Sequence, residues 1–219
     1  MRTARLMTLP GVYTPQHDTR LLMGALDQER LPPGTEVLDV GTGSGALALH
    51  AARLGARVTA VDIARRAVLT ARLNSLVHGR RVTVLRSDLL SALPGRSYDL
   101  IVCNPPYVPS PEPCLPGHGA ARAWEAGPDG RAVLDRICSV APTALRPGGR
   151  LLLVHSGLCD SDVTLRRLAD AGLRARVCER ASVPLGPVLR SRLRWLRETG
   201  LMAESDTMEE LVVVRAEHS

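Results

Sequence analysis

The chain has 219 residues, 45% of them apolar, enough to bury a full core as one domain of ordinary to large size. No apolar run reaches the roughly 18 residues of a membrane span and none follows Met1 as in a secretory leader, so a cytoplasmic protein with no membrane partner is expected. The net charge of +6 comes from arginine alone, with no lysine, no Phe, three Tyr and two Trp; such a composition argues against a surface built to stack single-stranded nucleic acid.

Strand and helix signals alternate along the chain. Residues 18–29 read as a helix capped by Asp18. Residues 35–40 read as a buried strand, followed by a glycine turn and a helix at 46–53. A second strand is expected at 58–61, a second helix at 64–77, a third strand at 82–85 and a fourth at 98–103. A helix at 131–144 and a fifth strand at 149–154 follow, and residues 173–178 and 210–214 could form a closing antiparallel pair. This order predicts an α/β, Rossmann-like fold: a seven-stranded, mostly parallel sheet with helices on both faces. One domain is expected over 1–219, with an extension and helix at 1–30, a ligand-binding core at 35–155 and a substrate-side part at 156–219.

The stretch from Val37 to Gly45 places Asp39 inside the first strand and Gly41, Gly43 and Gly45 at alternate positions of the turn after it. Glycine permits the tight turn and lets a ligand approach the backbone. Asp62 ends the second strand, where an acid in a doubly wound fold binds ribose hydroxyls. Asp88 follows the third strand, placed to accept from an adenine amino group while Leu89 packs on the ring. A dinucleotide site must be weighed, because Gly41, Gly43 and Ala46 satisfy the loose G-x-G-x-x-G/A pattern. A pyrophosphate at the helix N-terminus would lie near Asp39 with nothing to offset the repulsion. The three acids instead suit S-adenosylmethionine, which carries an amino group and a sulfonium cation.

Asn104-Pro105-Pro106-Tyr107 ends the fourth strand. Two prolines remove two backbone donors and fix φ, and Asn104 before them is pushed toward an extended conformation. The carbonyls of Asn104 and Pro105 and the Asn104 side-chain oxygen can then face one cavity as acceptors, with the Tyr107 ring over a planar group. A primary amide or an exocyclic amine has two N–H donors to satisfy. The expected reaction is therefore N-methylation of a planar nitrogen by in-line displacement, with orientation as the main contribution. No general base is evident in the sequence. Cys103, Cys114, Cys138, Cys159 and Cys178 form no C-x-x-C pair and read as reduced thiols, with no metal site.

At these two motifs the chain resembles the HemK-type protein glutamine methyltransferases. Residues 11–22, running through Tyr13, Pro15, Asp18 and Thr19, are similar to the V-Y-x-P-x-E-D-T-x-L-L opening of the short archaeal and eukaryotic-type branch, which lacks the helical domain of the longer bacterial enzymes. Residues 123–135, with Trp124, are similar to that branch's A-W-x-G-G-x-x-G-R-x-V-x-D segment. His17 stands where the opening usually has an acid, and Ala126 where the second segment usually has glycine. The resemblance implies S-adenosylmethionine held by Thr19, Asp39, Gly41, Gly43, Asp62, Asp88, Leu89 and Asn104. It also implies a glutamine amide held by Asn104, Pro105, Pro106 and Tyr107, in the Gly-Gly-Gln loop of a peptide-chain release factor. A small activating subunit is a further expectation.

The tetrapeptide accepts exocyclic amines equally well, so an adenine or guanine amino-methyltransferase acting on RNA or DNA is the alternative, and a small-molecule acceptor a third. The basic stretch from Arg190 to Arg197 puts Arg190, Arg194 and Arg197 on one helical face, a solvated surface or a dock for RNA. Trp124, in a Gly- and Pro-rich loop, reads equally as a packing anchor or a cover over the substrate.

Overall fold

A computed structural model describes residues 6–117 and 119–218. The strands β1 (Glu36–Val40), β2 (Arg57–Asp62), β3 (Val82–Arg86), β4 (Tyr98–Cys103), β5 (Leu145–Ser156), β6 (Leu173–Pro184) and β7 (Met208–His218) form one sheet in the order β3-β2-β1-β4-β5-β7-β6. The first five run parallel, and β7 enters antiparallel between β5 and β6. The helices are α1 (His17–Gln28), α2 (Ala46–Arg53), α3 (Arg65–Val77), α4 (Ala132–Val140), α5 (Ser161–Asp170) and α6 (Pro187–Glu198).

The apolar runs of β1 and β4 need cover on both faces, and alternate residues supply it. Leu38, Val40, Ile101, Cys103, Leu151 and Leu153 face a core completed by Leu134, Ile137 and Cys138 of α4 and Leu168 of α5. Val37, Leu100, Val102, Leu152 and Val154 face the opposite core, with Leu22, Ala25 and Leu26 of α1 and residues of α2 and α3. The spacing of 134, 137 and 138 turns one face of α4 to the sheet. Leu185, Leu189, Leu196 and Met202 make a smaller cluster under α6.

Several boundaries differ from the sequence expectation for local reasons. The helix expected at 131–144 stops at Val140 and tightens into a 3₁₀ turn over Ala141–Ala144, where Pro142 cannot continue it. The closing strands β6 and β7 are twice the expected length, because each pairs with the other from end to end. Helix α5 has no counterpart in the sequence expectation; its N-cap is Asp160, which accepts from the amides of Asp162 and Val163. Asp18 does not cap α1. The helix begins at His17 after Gln16, and Asp18 is a buried residue inside it, held by tyrosine hydroxyls. Of the three arginines expected on one face of α6, Arg190 and Arg194 are exposed, whereas Arg197 folds back to donate to the Glu204 carbonyl.

The sheet changes direction between β1 and β4, since β2 and β3 lie to one side of β1 and β4 and β5 to the other. The crevice at the carboxyl ends of these strands is the place for a ligand. There, Val40 pairs with Cys103, and the turn after β1 meets the tetrapeptide after β4. Gly130 closes the loop over that junction: it has φ +71°, and a Cβ on it would lie 2.4 Å from the Tyr107 carbonyl oxygen and 2.8 Å from Cys159 Sγ. We expect Gly130→Ala to cost about 3 kcal/mol through backbone strain and overlap. That is a fall in melting temperature on the order of 6–12 °C, measurable by calorimetry; an unchanged Tm would show that the loop does not press on the tetrapeptide.

Candidate active site

Gly41, Gly43 and Gly45 adopt φ of +73°, +54° and +84°, so each of the three alternate positions requires glycine. Gly41 and Gly43 line the crevice itself, and Gly45 lies against Ala71 of α3. The amides of Gly41 and Thr42 donate to the Val61 carbonyl, tying the turn to β2. Asp62, at the end of β2, holds the turn from the other side: its carboxylate accepts from Gly43 N at 3.0 Å and Ala64 N at 2.8 Å. Burial raises the Asp62 pKa, opposed by these hydrogen bonds and by the charge of Arg122.

Asp39 is fully buried and stands behind the turn rather than on the cavity wall. One oxygen accepts from the Thr42 hydroxyl at 2.6 Å and the Ala48 amide at 3.0 Å; the other has no partner. Its sequence-derived place in direct contact with a ligand thus becomes a brace beneath the turn. Burial pushes its pKa up to about 7. Asp88 is on the wall, but both of its oxygens accept from Arg136 at 2.9 Å, a pair half exposed to solvent. Leu89 lines the wall beside it with φ +48°.

Asn104, Pro105, Pro106 and Tyr107 line the same cavity of about 460 Å³, with Thr19, Gly41, Gly43 and Asp62. A chain of hydrogen bonds sets their attitude. Asn104 Nδ2 donates to Thr19 Oγ1 at 3.2 Å, which leaves its Oδ1 free to accept within the cavity. The Thr19 hydroxyl donates to Asp18 Oδ1 at 3.2 Å, while Asp18 Oδ2 accepts from Tyr107 at 3.0 Å and from Tyr13 at 2.7 Å. Asp18 thereby fixes both the tyrosine ring and, through Thr19, the asparagine amide. Burial and the charge of Asp18 hold the Tyr107 phenol well above its ordinary pKa, so it stays protonated.

The proline-rich loop after Tyr107 folds back on itself. Val108 N donates to the Trp124 carbonyl at 2.7 Å and Ala126 N to the Val108 carbonyl at 3.1 Å, which places the half-buried Trp124 on the cavity wall. Arg192 of α6 straps this loop down, donating to the Pro109 carbonyl at 2.9 Å and pairing with Glu125. Sequence reasoning missed Asp18 as a site residue because it stood where a helix cap was due. It missed Glu209 altogether: this residue of β7 lines the cavity only 8% exposed, yet lies in no local motif. All five cysteines are free, and among the described residues no group of His, Cys, Asp and Glu could hold a metal ion.

The donor set fits S-adenosylmethionine. Carboxylates predominate around the cavity, which favours a cation, and the glycine turn leaves room for a ligand against the backbone. Strand order, glycine turn and the acid ending β2 together define a class I S-adenosylmethionine-dependent methyltransferase. Residues 3–112 match the methyltransferase small domain family. A Methanocaldococcus jannaschii protein named as an N5-glutamine methyltransferase is 31% identical over 82% of this chain and 90% of its own length. Release factor glutamine methyltransferases of Mycolicibacterium smegmatis and Bordetella pertussis are 38% and 40% identical over 74% and 75% of the chain, which spans 58% and 64% of their length. Among solved structures, the E. cuniculi Mtq2–Trm112 complex, described as methylating the eRF1 translation termination factor, superposes with a TM-score of 0.66 at 26% identity, over 95% of this chain and 99% of that one. The T. thermophilus 16S rRNA methyltransferase RsmC, solved with AdoMet and guanosine, gives 0.66 at 25% identity over 97% of this chain and 46% of that one. The chain belongs to the methyltransferase small domain family, among its protein N5-glutamine methyltransferases.

S-adenosylmethionine should therefore raise the melting temperature, by about 2.7 kcal/mol of stabilisation at a hundred times its Kd. Asp62→Ala, which frees the Gly43 and Ala64 amides, should remove most of that shift; NAD producing it instead would overturn the cofactor. Because a cation favours the ionised form of Asp39, binding below its pKa must displace a proton. Affinity measured by calorimetry should then rise between about pH 6 and pH 8.

Proposed function

We propose that this enzyme methylates the side-chain nitrogen of glutamine in the Gly-Gly-Gln loop of a peptide-chain release factor. The observation that carries the proposal is that Asn104, on the cavity wall, commits its Nδ2 to Thr19 and so keeps Oδ1 as an acceptor for a ligand. In this reading Asn104 Oδ1 and a carbonyl of the tetrapeptide accept the two N–H groups of the amide, and Tyr107 covers its plane. That arrangement directs the nitrogen lone pair at the methyl carbon and avoids the entropy cost of finding the geometry in solution. Thr19, Gly41, Gly43, Asp62, Asp88, Leu89 and Asn104 hold S-adenosylmethionine, with Asp39 supporting the turn from behind.

The rim favours a peptide. The loop at 108–128 is proline-rich, with Glu112 and Glu125 and a single arginine, Arg122, whereas a nucleotide brings phosphates that need a basic border. A Gly-Gly pair beside the target lets an extended loop enter a narrow cleft. The similarity to glutamine methyltransferases of three organisms, and to an Mtq2–Trm112 complex described as methylating eRF1, supports the same substrate. A translation factor as substrate puts the enzyme in the cytoplasm, and no helix among the described residues is long and apolar enough to cross a membrane. We read residues 1–219 as one methyltransferase unit. A small activating subunit would find its seat on the outer face of α3, where Leu69, Leu73, Leu76 and Val77 are exposed beside the edge strand β3.

The likeness to RsmC with bound guanosine favours one second reading, an exocyclic amine of RNA. Incubation with S-adenosylmethionine and a recombinant release factor should place one methyl on the glutamine of that loop, read by mass spectrometry. Label from a cell extract that survives protease and is lost to ribonuclease would instead establish the RNA reading. Asn104→Ala should leave much of the cofactor-induced shift in melting temperature and reduce turnover at least ~100-fold.

A further inference from the structure

Methylation of an amide nitrogen releases a proton, and the residues so far described offer nowhere suitable to put it. Tyr107 is held protonated by its surroundings, and its hydroxyl already donates to Asp18. No histidine among the described residues lines the cavity. Asp62 has its oxygens on backbone amides, and Asp88 has both of its own on Arg136.

Glu209 is different. It enters from the start of β7, paired with Val183 of β6. Two residues on, Leu211 pairs with Ser156 at the carboxyl end of β5, so Glu209 is carried to the same end of the sheet as the tetrapeptide. Its Oε1 is buried without a partner. Six side-chain atoms share that condition among the described residues, on Asp39, Tyr98, Arg131, His155, Arg197 and Glu209. Of these, only Glu209 lies on the wall of the active-site cavity. A buried carboxylate oxygen left without a partner is costly unless a ligand supplies a donor.

We infer that Glu209 is the general base of the reaction, its Oε1 taking the proton that the acceptor nitrogen gives up on methylation. This rests on the planar-nitrogen reading above. As the nitrogen lone pair forms its bond to the methyl carbon, the carbon–sulfur bond breaks and its electron pair stays on sulfur. The nitrogen turns tetrahedral as its delocalisation is lost, which frees one N–H from the tetrapeptide carbonyl; that N–H bond then breaks, its pair remains on nitrogen as the new amide lone pair, and the proton passes to the carboxylate. It leaves to water when the product opens the cavity.

The surroundings of Glu209 suit that duty. Asp18 from α1 and the Ser156 hydroxyl act on it, and its own charge in turn raises the Tyr13 and Tyr107 phenols and the Cys159 thiol around it. Burial, and to a lesser degree the negative charge of Asp18, push its pKa up to about 7 against the Ser156 hydrogen bond. A sulfonium cation in the cavity lowers that value and leaves the carboxylate ionised. Loss of the cation on methyl transfer raises it again, just as the proton must be accepted.

Two measurements test the inference. With cofactor saturating, kcat of the wild-type enzyme should rise along a limb below pH 7, where Glu209 ionises in the loaded enzyme, whereas Glu209→Gln should be ~100-fold slower and lack that limb. Glu209→Asp should recover part of the rate together with the limb. An unaltered pH profile in Glu209→Gln overturns the assignment, as does a loss of rate confined to KM. The second measurement needs no methyl acceptor: calorimetry of S-adenosylmethionine binding near pH 7, in buffers of different ionisation enthalpy, counts the protons released. Asp39 contributes in both proteins, so Glu209→Gln should release fewer than wild type; equal release overturns the inference. A wild-type enzyme that leaves the release factor unlabelled sinks the substrate, while the proton count still decides Glu209.

Discussion

The parallel pairing of β1 with β4 is the constraint on which the rest of this molecule depends. It sets Val40 opposite Cys103, so two chain segments more than sixty residues apart end side by side at the carboxyl ends of the central strands. From there one strand turns sharply through glycines and the other runs into Asn104 and two prolines. The pairing is held by cover on both faces, since each buried Leu, Ile or Val contributes about 1.5–3 kcal/mol relative to exposure. Cys103 adds a thiol donated to the Val40 carbonyl at 3.1 Å, a small cross-link at the point of contact. If the register slipped by one residue, every side chain of β4 would change faces and the tetrapeptide would leave the crevice.

Around that junction the protein gathers buried acids with few cations to match. Asp39, Asp62 and Glu209 all have pKa values raised chiefly by burial. Buried carboxylates are destabilising unless something compensates them, and the compensation here is local: backbone amides for Asp62, a hydroxyl and an amide for Asp39, two phenols for Asp18. What remains uncompensated is negative potential in a cavity, which suits a cationic ligand whose charge vanishes in the reaction. The same potential makes the site a poor host for a pyrophosphate, and this separates the glycine turn seen here from a dinucleotide-binding one.

The C-terminal third of the chain acts on the site from outside the parallel sheet. Strands β6 and β7 extend the sheet and bring Glu209 to the cavity, while α6 packs its own apolar cluster and sends Arg192 across to the loop after the tetrapeptide. The Arg192–Glu125 pair is largely buried on both sides. Removing one partner of such a pair strands the other, so the strap ties the attitude of the Trp124 loop to the docking of α6. Arg131 serves a related purpose beneath the loop, joining the Cys159 and Asp160 carbonyls to Asp135.

The sequence by itself determined the strand and helix order, the glycine turn, the acid ending β2 and the tetrapeptide, because each is a local signal: an apolar period, a residue that permits positive φ, or a pair of prolines. The methyl-donor chemistry was legible for the same reason. Only the tertiary structure decided which acids face the cavity. Asp39 and Asp62 are equally plausible ligand contacts in one dimension, yet the twist of the turn puts one behind it and the other on the wall. Asp18 looked like a helix cap because the Tyr107 that claims it lies 89 positions away. Glu209 carries no motif; its place in the site follows from the antiparallel insertion of β7 between β5 and β6, a consequence of long-range pairing that no local pattern encodes.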